Sequence, residues 1–252
     1  LSVQPIQLVG NCVIPRFPYD YNIMNRAYFY FHKLGYRRNP FGALTADEWA
    51  NVAGVPTAAA PLAPPFTGNW QLLGPMGSGK TTSLLGLQVH LAAQGLRVTY
   101  EYLPEGQNCF VTGPDGWDVF LLDEAQRLKW RERRRLMQAV KNGRYRLIVS
   151  SHEDLTPLFA RWRLPLTSVS LAATVSPAHY REVLNRRLAY FALPGMERVT
   201  LGETAVRFLF DTFGQNLRAA EYFLYEVWQR QETVTELSAE HLAAIWQALR
   251  EP

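Results

Sequence analysis

Cysteine and long apolar segments are both scarce in this 252-residue chain. Its two cysteines, Cys12 and Cys109, show no metal-ligand spacing and are too few for a disulfide framework, as is typical of a reducing compartment. No apolar run approaches the roughly 18 residues that a membrane span needs. No basic stretch followed by an apolar core opens the chain, so a secretory signal is not predicted. We therefore expect a cytoplasmic protein without membrane contact.

Apolar residues are plentiful, which argues against a disordered chain. Hydrophobic residues make up 48% and aromatic residues 13% of the chain, enough for a sizeable core in one or two domains. The stretch 58–65 reads AAAPLAPP and predicts a Pro/Ala linker. We accordingly divide the chain into an aromatic-rich N-terminal extension at 1–65, a central domain at 66–175 and a C-terminal domain at 176–252.

The N-terminal extension contains two helix signals. A helix is predicted over 22–34 with Gly35 as its stop, and Thr45 followed by Glu48 forms a capping box that opens a second helix. The run Asn39-Pro40-Phe41-Gly42 between them is typical of a turn. Two interpretations stay open: the extension packs on the body of its own chain, or it docks a partner or a second subunit.

The central domain alternates strand-like and helix-like segments, the pattern of a parallel sheet with helical crossovers. Strands are predicted over 70–73, 97–103, 119–122, 147–150 and 168–171. The short interval before the third strand favours an extra strand over 107–112, paired with the second strand as a hairpin. Strand signals then cease, and helices are predicted over 178–191, 203–212, 217–229 and 239–249. The predicted fold class is α/β: a parallel five-stranded sheet flanked by helices, with a small all-helical C-terminal domain.

A glycine-rich motif lies between the first strand and the helix that follows it. The run from Gly74 to Thr81 satisfies G-x-x-x-x-G-K-[ST] in the strand–loop–helix context that a P-loop NTPase requires. Its backbone amides and the helix N-terminus can surround phosphate oxygens. Lys80 would reach the β- and γ-phosphates of ATP, and the Thr81 hydroxyl would hold Mg²⁺. The predicted nucleotide-binding residues are Gly74, Pro75, Met76, Gly77, Ser78, Gly79, Lys80, Thr81, Thr82 and Asp123.

Two carboxylates end the apolar third strand. Asp123 would bind Mg²⁺ through water, and Glu124 could polarise a water for in-line attack on the γ-phosphate. A pair of acids at a strand end can also cap a helix, but beside a phosphate loop the nucleotide interpretation is favoured. The pair therefore predicts an ATP hydrolase rather than a passive nucleotide binder.

The basic residues of the chain are concentrated in one segment. Residues 127–146 hold nine basic residues and one acid, a net charge of +8, while the remaining 17 basic and 21 acidic residues leave −4. Such a cluster is typical of contact with a phosphate backbone. A solvated helix face, or arginines paired across a subunit contact, is the alternative. The predicted contacts to double-stranded DNA are Lys129, Arg131, Arg133, Arg134, Arg135 and Lys141.

With these motifs in place, residues 70–249 resemble the AAA+ ATPases. Asp123-Glu124-Ala125-Gln126 followed by Leu128 is similar to the subgroup that contains ExeA-type ATPases and the transposition ATPases of the TnsC and TniB kind. The helical end resembles the lid of origin-recognition and Cdc6-type initiators. There the run from Gly214 to Ala219 is similar to the sensor-2 pattern. The resemblance implies that Arg218 faces the γ-phosphate from the lid.

The resemblance implies further catalytic positions. Sensor 1 lies at the end of the fourth strand, where Ser151 and His152 are both candidates. An arginine finger lies just before the fifth strand and completes the site of a neighbouring subunit. This implies a homo-oligomer in which Arg161 or Arg163 acts in trans. An ordinary surface arginine beside Trp162 is the plainer interpretation of either residue.

Three functions are compatible with these features. The first, which we favour, is an oligomeric ATPase that assembles on DNA as a regulator or loader, of the transposition target-selection or helicase-loader type, and acts on an unknown protein partner. The second is a nucleotide-dependent signalling switch of the STAND type. The third is an ExeA-like ATPase of secretion or envelope machinery without DNA binding. DNA contact in the first case is expected to involve backbone phosphates and to weaken with salt.

Overall fold

The computed structural model describes residues 30–53, 68–113 and 116–251; the predicted helix before residue 30 and the Pro/Ala linker lie outside these ranges. The described strands are β1 Asn69–Leu73, β2 Val98–Tyr102, β3 Val119–Asp123, β4 Arg146–Ser151, β5 Leu166–Ser170, β6 Thr200–Leu201 and β7 Glu236–Leu237. The α-helices are α1 Ala46–Val52, α2 Lys80–Ala93, α3 Trp130–Lys141, α4 Thr156–Arg161, α5 Pro177–Phe191, α6 Glu203–Phe213, α7 Leu217–Arg230 and α8 Ala239–Ala248. None of the helices in these ranges has the length and apolar composition needed to cross a membrane.

Strands β1 to β5 form one parallel sheet in the order β2–β3–β4–β1–β5. The central strands β3 and β4 are almost entirely buried because helices cover both faces of the sheet. Helix α2 packs on one face through Leu84, Leu87 and Leu91, and α3 and α4 pack on the other through Met137 and Phe159. The predicted α/β class with a five-stranded parallel sheet is confirmed. Because the strands are parallel, the ends of β1, β3 and β4 that bear the motifs share one edge of the sheet.

The described part of the segment after β2 contains no extra strand, so the predicted hairpin at 107–112 is wrong. Glu101, buried within β2, accepts hydrogen bonds from the amides of Val111 at 2.7 Å and Thr112 at 2.8 Å. In a hairpin these two amides would donate to backbone carbonyls of β2. Here they donate to the Glu101 carboxylate instead. A side chain, rather than a ladder, holds this irregular loop beside β2.

The C-terminal part is a lid built on α5 to α8. Its core contains Tyr180, Leu184, Leu209, Leu224 and Trp228, all fully buried. Strands β6 and β7 pair in parallel over two residues each, just before α6 and α8 begin. The lid is therefore helical apart from this short ladder, which is too brief to leave an alternating pattern in the sequence.

Residues 30–53 share their hydrophobic core with the lid. Leu34, Tyr36, Phe41 and Val52 are buried in the same cluster as the lid helices. Backbone hydrogen bonds between this segment and the end of α5 add to the apolar contacts. The described part of the predicted N-terminal extension thus packs on its own chain, against the lid.

Both local signals in this segment are found where the sequence predicts them. Gly35 ends a 3₁₀ turn at His32–Leu34 with a φ of 83°, and a Cβ there would overlap the chain at Arg198. The Thr45 hydroxyl accepts from the amide of Glu48, and the Glu48 carboxylate accepts from the amide of Thr45. This capping box starts α1.

Candidate active site

The loop between β1 and α2 has the geometry of a phosphate cradle. Gly77 and Gly79 adopt φ values of 79° and 85°, which residues with a Cβ rarely adopt. A Cβ at Gly74 would lie 2.6 Å from Ser78 Oγ. The Ser78 hydroxyl is buried, and it has no hydrogen-bond partner among the described residues. An unpaired buried donor in a glycine-rich loop at a helix N-terminus fits an anionic group such as a nucleotide phosphate.

Lys80, the first residue of α2, is only 5% exposed. Its ammonium donates to the carbonyl oxygens of Gly74 and Pro75, both at 2.9 Å, and lies 3.4 Å from His152 Nδ1. Burial lowers the pKa of Lys80, two nearby carboxylates oppose that shift, and the Arg218 guanidinium adds to it. A bound phosphate would therefore stabilise the charged form of a lysine whose charge burial disfavours.

Asp123 is fully buried at the end of β3. Its carboxylate accepts hydrogen bonds from the Ser150 hydroxyl on β4 and, at 3.0 Å, from the Tyr100 hydroxyl on β2. Burial, and then the Asp123 charge, raise the pKa of Tyr100, which keeps the phenol protonated as a donor. Ser150 and Tyr100 belong to no sequence motif. Only the adjacency of β2, β3 and β4 could have indicated them.

Glu124 follows β3 in the left-handed region with a φ of 61°, a strained conformation for a residue with a Cβ. Its amide donates to Ser150 Oγ at 3.1 Å. The carboxylate oxygen Oε2 accepts from Gln126 Nε2 at 2.6 Å and lies 3.4 Å from Arg127 Nη2. The other oxygen, Oε1, lies 3.3 Å from His152 Nε2. Three side chains therefore direct this carboxylate, and the sequence analysis missed two of them, Gln126 and Arg127.

Of the two sensor-1 candidates, the structure brings His152 to the site. Its imidazole lies between the Lys80 ammonium and the Glu124 carboxylate, one ring nitrogen facing each group. The Ser151 hydroxyl instead accepts from the amide of Glu153 at 2.9 Å. Of Ser151 and His152, only His152 contacts Lys80 and Glu124, the two side chains predicted to act on the phosphate.

The glycine-rich loop opens into a cavity of about 800 Å³ between the sheet, the N-terminal segment and the lid. Lys80, Thr81, Glu124 and His152 are among its lining residues. The N-terminal segment and the lid supply others, including Phe41, Leu44, Trp49, Arg218 and Tyr222. This volume lies in the range that ligand sites for nucleotide-sized molecules occupy.

The two predicted magnesium ligands differ in their access to this cavity. Thr81 lines it, whereas the buried Asp123 does not. No group of three or more His, Cys, Asp or Glu side chains within the described ranges is arranged to hold a metal ion. A magnesium ion would therefore need phosphate oxygens and water as further ligands, as is usual for this hard cation.

The predicted sensor-2 run lies against the glycine-rich loop. A Cβ at Gly77 would overlap Asn216 Oδ1, so the lid touches the loop at this point. The same oxygen accepts from the amide of Ala219 at 3.1 Å and caps α7. Arg218, two residues further, is exposed and lines the cavity. The helix cap of the lid thus brings the predicted arginine to the nucleotide side.

The two arginine-finger candidates are not brought to this cavity. Arg161 ends α4, and Arg163 follows with a φ of 55°; both residues are exposed. They stand just before β5, at the edge of the sheet. A role in the site of a neighbouring subunit stays a prediction.

The side chains predicted to contact DNA differ in how much they interact within the chain. Arg133 is half-buried and donates to the carbonyl oxygens of Gln126 at 2.6 Å and Leu128 at 2.9 Å. Arg135 lies over the ring of Phe110, 4.4 Å from its centre. Arg135 is nevertheless exposed, as are Lys129, Arg131, Arg134 and Lys141. These exposed side chains are accessible to backbone phosphates, and DNA binding stays a prediction.

Comparison with known proteins finds similar solved structures. No protein-family model and no curated protein matches the chain. A structure of a RuvB variant from Thermotoga maritima is similar over 72% of this chain and 62% of that one, with 15% identity and a TM-score of 0.51. At this identity the likeness shows the fold, and it agrees with the parallel sheet and the helices that follow it. The predicted AAA+ P-loop resemblance is thus supported at the level of the fold alone.

Two further solved structures show weaker likeness to this chain. AMPPCP-bound DnaA from Aquifex aeolicus has 16% identity and a TM-score of 0.44 over 63% of this chain and 54% of that one. ADP-bound NtrX from Brucella abortus has 16% identity and a TM-score of 0.48 over 81% and 55%. The chain spans less than two thirds of the length of each of these three structures. The finer resemblance to the ExeA, TnsC, TniB and origin-recognition groups stays a prediction.

Proposed function

We propose that this chain binds ATP with Mg²⁺ and hydrolyses it to ADP. The observation that carries the proposal is the meeting of Lys80, Glu124 and His152 beside the glycine-rich loop. A buried ammonium whose pKa is lowered by burial favours an anionic ligand, and a directed carboxylate nearby is suited to accept a proton from water. The surrounding cavity is large enough for a nucleotide.

Each group has a distinct part in the proposed reaction. The loop amides and the Lys80 ammonium bind the phosphates, and the ammonium exchanges carbonyl oxygens for phosphate oxygens as it does so. Glu124 accepts the proton of the attacking water, and His152 keeps its carboxylate directed. The Thr81 hydroxyl would hold Mg²⁺ directly, and the buried Asp123 would reach it only through water; the ion would neutralise charge on the phosphates.

Two substitutions test this proposal. Lys80→Ala should abolish ATP binding, because the loop loses its only side-chain cation within the motif. Glu124→Gln should keep ATP binding but lower turnover by about 100-fold or more, the usual effect of removing a general base. Binding is measured by calorimetry and turnover by phosphate release.

Glu240→Gln, the same chemical change at an exposed residue of α8, is the matched control and should turn over normally. Wild-type turnover in Glu124→Gln, or wild-type ATP affinity in Lys80→Ala, would contradict the assignment of the site.

We propose as the larger role an oligomer that assembles on double-stranded DNA and acts on a protein partner. Support comes from the concentration of positive charge in residues 127–146 and from the exposed cations there. Arg161 or Arg163 would complete the site of the neighbouring subunit, while Arg218 would act on the nucleotide of its own chain. No observation favours the signalling switch or the envelope ATPase over this role.

A further inference from the structure

Arg133 links the basic helix α3 to the carboxylate that is proposed to activate water. Its guanidinium extends back from α3 and donates through Nε to the carbonyl of Leu128 and through Nη2 to the carbonyl of Gln126. The side chain of Gln126 in turn donates to Glu124 Oε2 at 2.6 Å. One side chain of α3 therefore holds the 3₁₀ turn Ala125–Arg127 from which Glu124 is directed.

The conformation of Glu124 requires such a tie. A residue with a Cβ persists in the left-handed region only when its surroundings hold it there. Ser150 holds the Glu124 amide at 3.1 Å, and the Glu124 carbonyl accepts from the amide of Arg127 at 3.0 Å. Both contacts hold Glu124 itself. Further along, the Arg127 side chain ties the turn to the carbonyl of Leu103, and the two bonds from Arg133 tie the carbonyls of Gln126 and of Leu128, the residue after the turn, to α3.

We propose that Arg133 is a positioning residue for Glu124 and not a contact for DNA phosphates. It acts through the main chain of the turn, and its loss lets Glu124 and Gln126 relax together. This inference rests on the proposed ATPase function. A displacement of about 1 Å at a reacting group can lower a rate about 100-fold.

The test is a double-mutant cycle on the full chain with Arg133→Lys and Glu124→Gln. Lysine keeps the charge but can reach only one of the two carbonyls. Arg133→Lys should lower kcat by about 10- to 100-fold while KM and the ATP affinity from calorimetry change less than about twofold. In the Glu124→Gln background the same change should have no further effect, because the group that it positions is already lost. Single-turnover rates make the slow variants measurable.

A second readout needs no nucleotide. Amide hydrogen exchange of the ligand-free protein should speed up across residues 124–128 in Arg133→Lys. Arg207→Lys, the same change at an exposed arginine of α6 that pairs with Asp211 at 3.0 Å, should leave both exchange and kcat unchanged.

Gln126→Ala is the second variant of the test, since it removes the amide that meets Glu124 without touching α3. It should reproduce the kcat loss.

Three outcomes would overturn the inference: wild-type turnover in Arg133→Lys, a loss that multiplies with that of Glu124→Gln, or unchanged exchange in the turn. Wild-type turnover in Glu124→Gln itself would instead contradict the proposed function, and the positioning role would fall with it. A normal Glu124→Gln effect beside a silent Arg133→Lys contradicts the inference alone.

Discussion

At the end of β3, one serine organises two acids with different tasks. The Ser150 hydroxyl donates to Asp123 and accepts from the amide of Glu124. The first bond keeps Asp123 inside the sheet, where Tyr100 occupies its other oxygen. The second holds Glu124 in the left-handed conformation that turns its side chain into the cavity. The last residue of β3 thereby becomes a buried anchor, and the residue after it becomes a base that lines the cavity.

Gly77 lies where the glycine-rich loop touches the lid. Gly77→Ala should destabilise the ligand-free protein for two reasons. A Cβ in the left-handed region costs about 1–2 kcal/mol, and this Cβ would displace Asn216, whose role as the cap of α7 is worth about 1 kcal/mol. Thermal and urea unfolding measure the loss.

Gly79→Ala is the matched control for this prediction. Its φ of 85° is close to the 79° of Gly77, but none of the described residues lies within 4 Å of the added Cβ. It should show the backbone cost alone and unfold at a higher temperature than Gly77→Ala. Equal losses in the two variants would mean that Asn216 adds nothing to the contact between lid and loop.

At the scale of elements, a buried arginine joins the N-terminal segment to the lid. Arg187 on α5 is 4% exposed and donates to the carbonyls of Pro40 and Gly42, both at 2.6 Å. It also pairs with Glu221 on α7 at 2.8 Å. Burial raises the pKa of Glu221, and the Arg187 charge opposes that shift. Three segments distant in sequence thus meet at one guanidinium.

Arg187→Met should destabilise the protein by about 3 kcal/mol, because it leaves the half-buried Glu221 without its partner and two carbonyls without donors. Urea unfolding measures the change. Arg181→Met, on the same helix, removes an exposed pair with Glu203 and should cost less than about 1 kcal/mol. Combining Arg187→Met with Glu221→Leu should recover part of the loss. A double variant no more stable than the single one would show that the carbonyls, not the stranded carboxylate, dominate.

The elements differ in how far the sequence could predict them. The glycine-rich loop, the five strands and the cap at Thr45 are local patterns, and each is found where it is predicted. The loop after β2 does not follow the predicted course, because the Glu101 side chain accepts hydrogen bonds from the amides of Val111 and Thr112. A strand pattern cannot reveal a side chain that replaces the ladder.

In the candidate active site, too, the sequence could predict some residues and not others. Lys80 and Glu124 stand in motifs, so their types and spacing predict their proximity. Tyr100 and Ser150 reach Asp123 only because β2, β3 and β4 are neighbours, and the order of strands in a sheet is not written in any local pattern. Arg133 lies in a run of arginines whose members look alike until the turn that it holds is visible.

At the scale of the whole molecule, the nucleotide cavity lies where three parts of the chain meet. The sheet supplies the loop and the acids, the lid supplies Arg218, and the N-terminal segment supplies Phe41 and Trp49. Because that segment is part of the lid core, it and the lid should move together when nucleotide enters. The arginine-finger candidates Arg161 and Arg163 lie outside this closed arrangement. If either acts in trans as proposed, a single subunit is incomplete as a catalyst.

ATP turnover per subunit should accordingly rise with protein concentration, and short duplex DNA should move that rise to lower concentration.

Changing both Arg131 and Arg134 to Gln should weaken DNA binding and reduce the slope of log affinity against log salt by about 2, one for each lost phosphate contact. ATP affinity of the variant should stay normal. Phosphate release across a dilution series, with and without DNA, and DNA titrations at several salt concentrations measure these effects.

The two arginine-finger candidates can be tested one at a time by measuring phosphate release across the same dilution series. Either Arg161→Ala or Arg163→Ala should remove the dependence on concentration, because the neighbour's site then lacks its trans cation. Arg207→Gln, which neutralises an exposed lid arginine, should leave both the concentration dependence and the salt slope unchanged. Turnover per subunit that is constant at every concentration, and indifferent to DNA, would mean that the subunit is a complete enzyme. DNA titrations without any salt dependence would show that the basic helix is a solvated face, since affinity that rests on phosphate contacts must fall with salt.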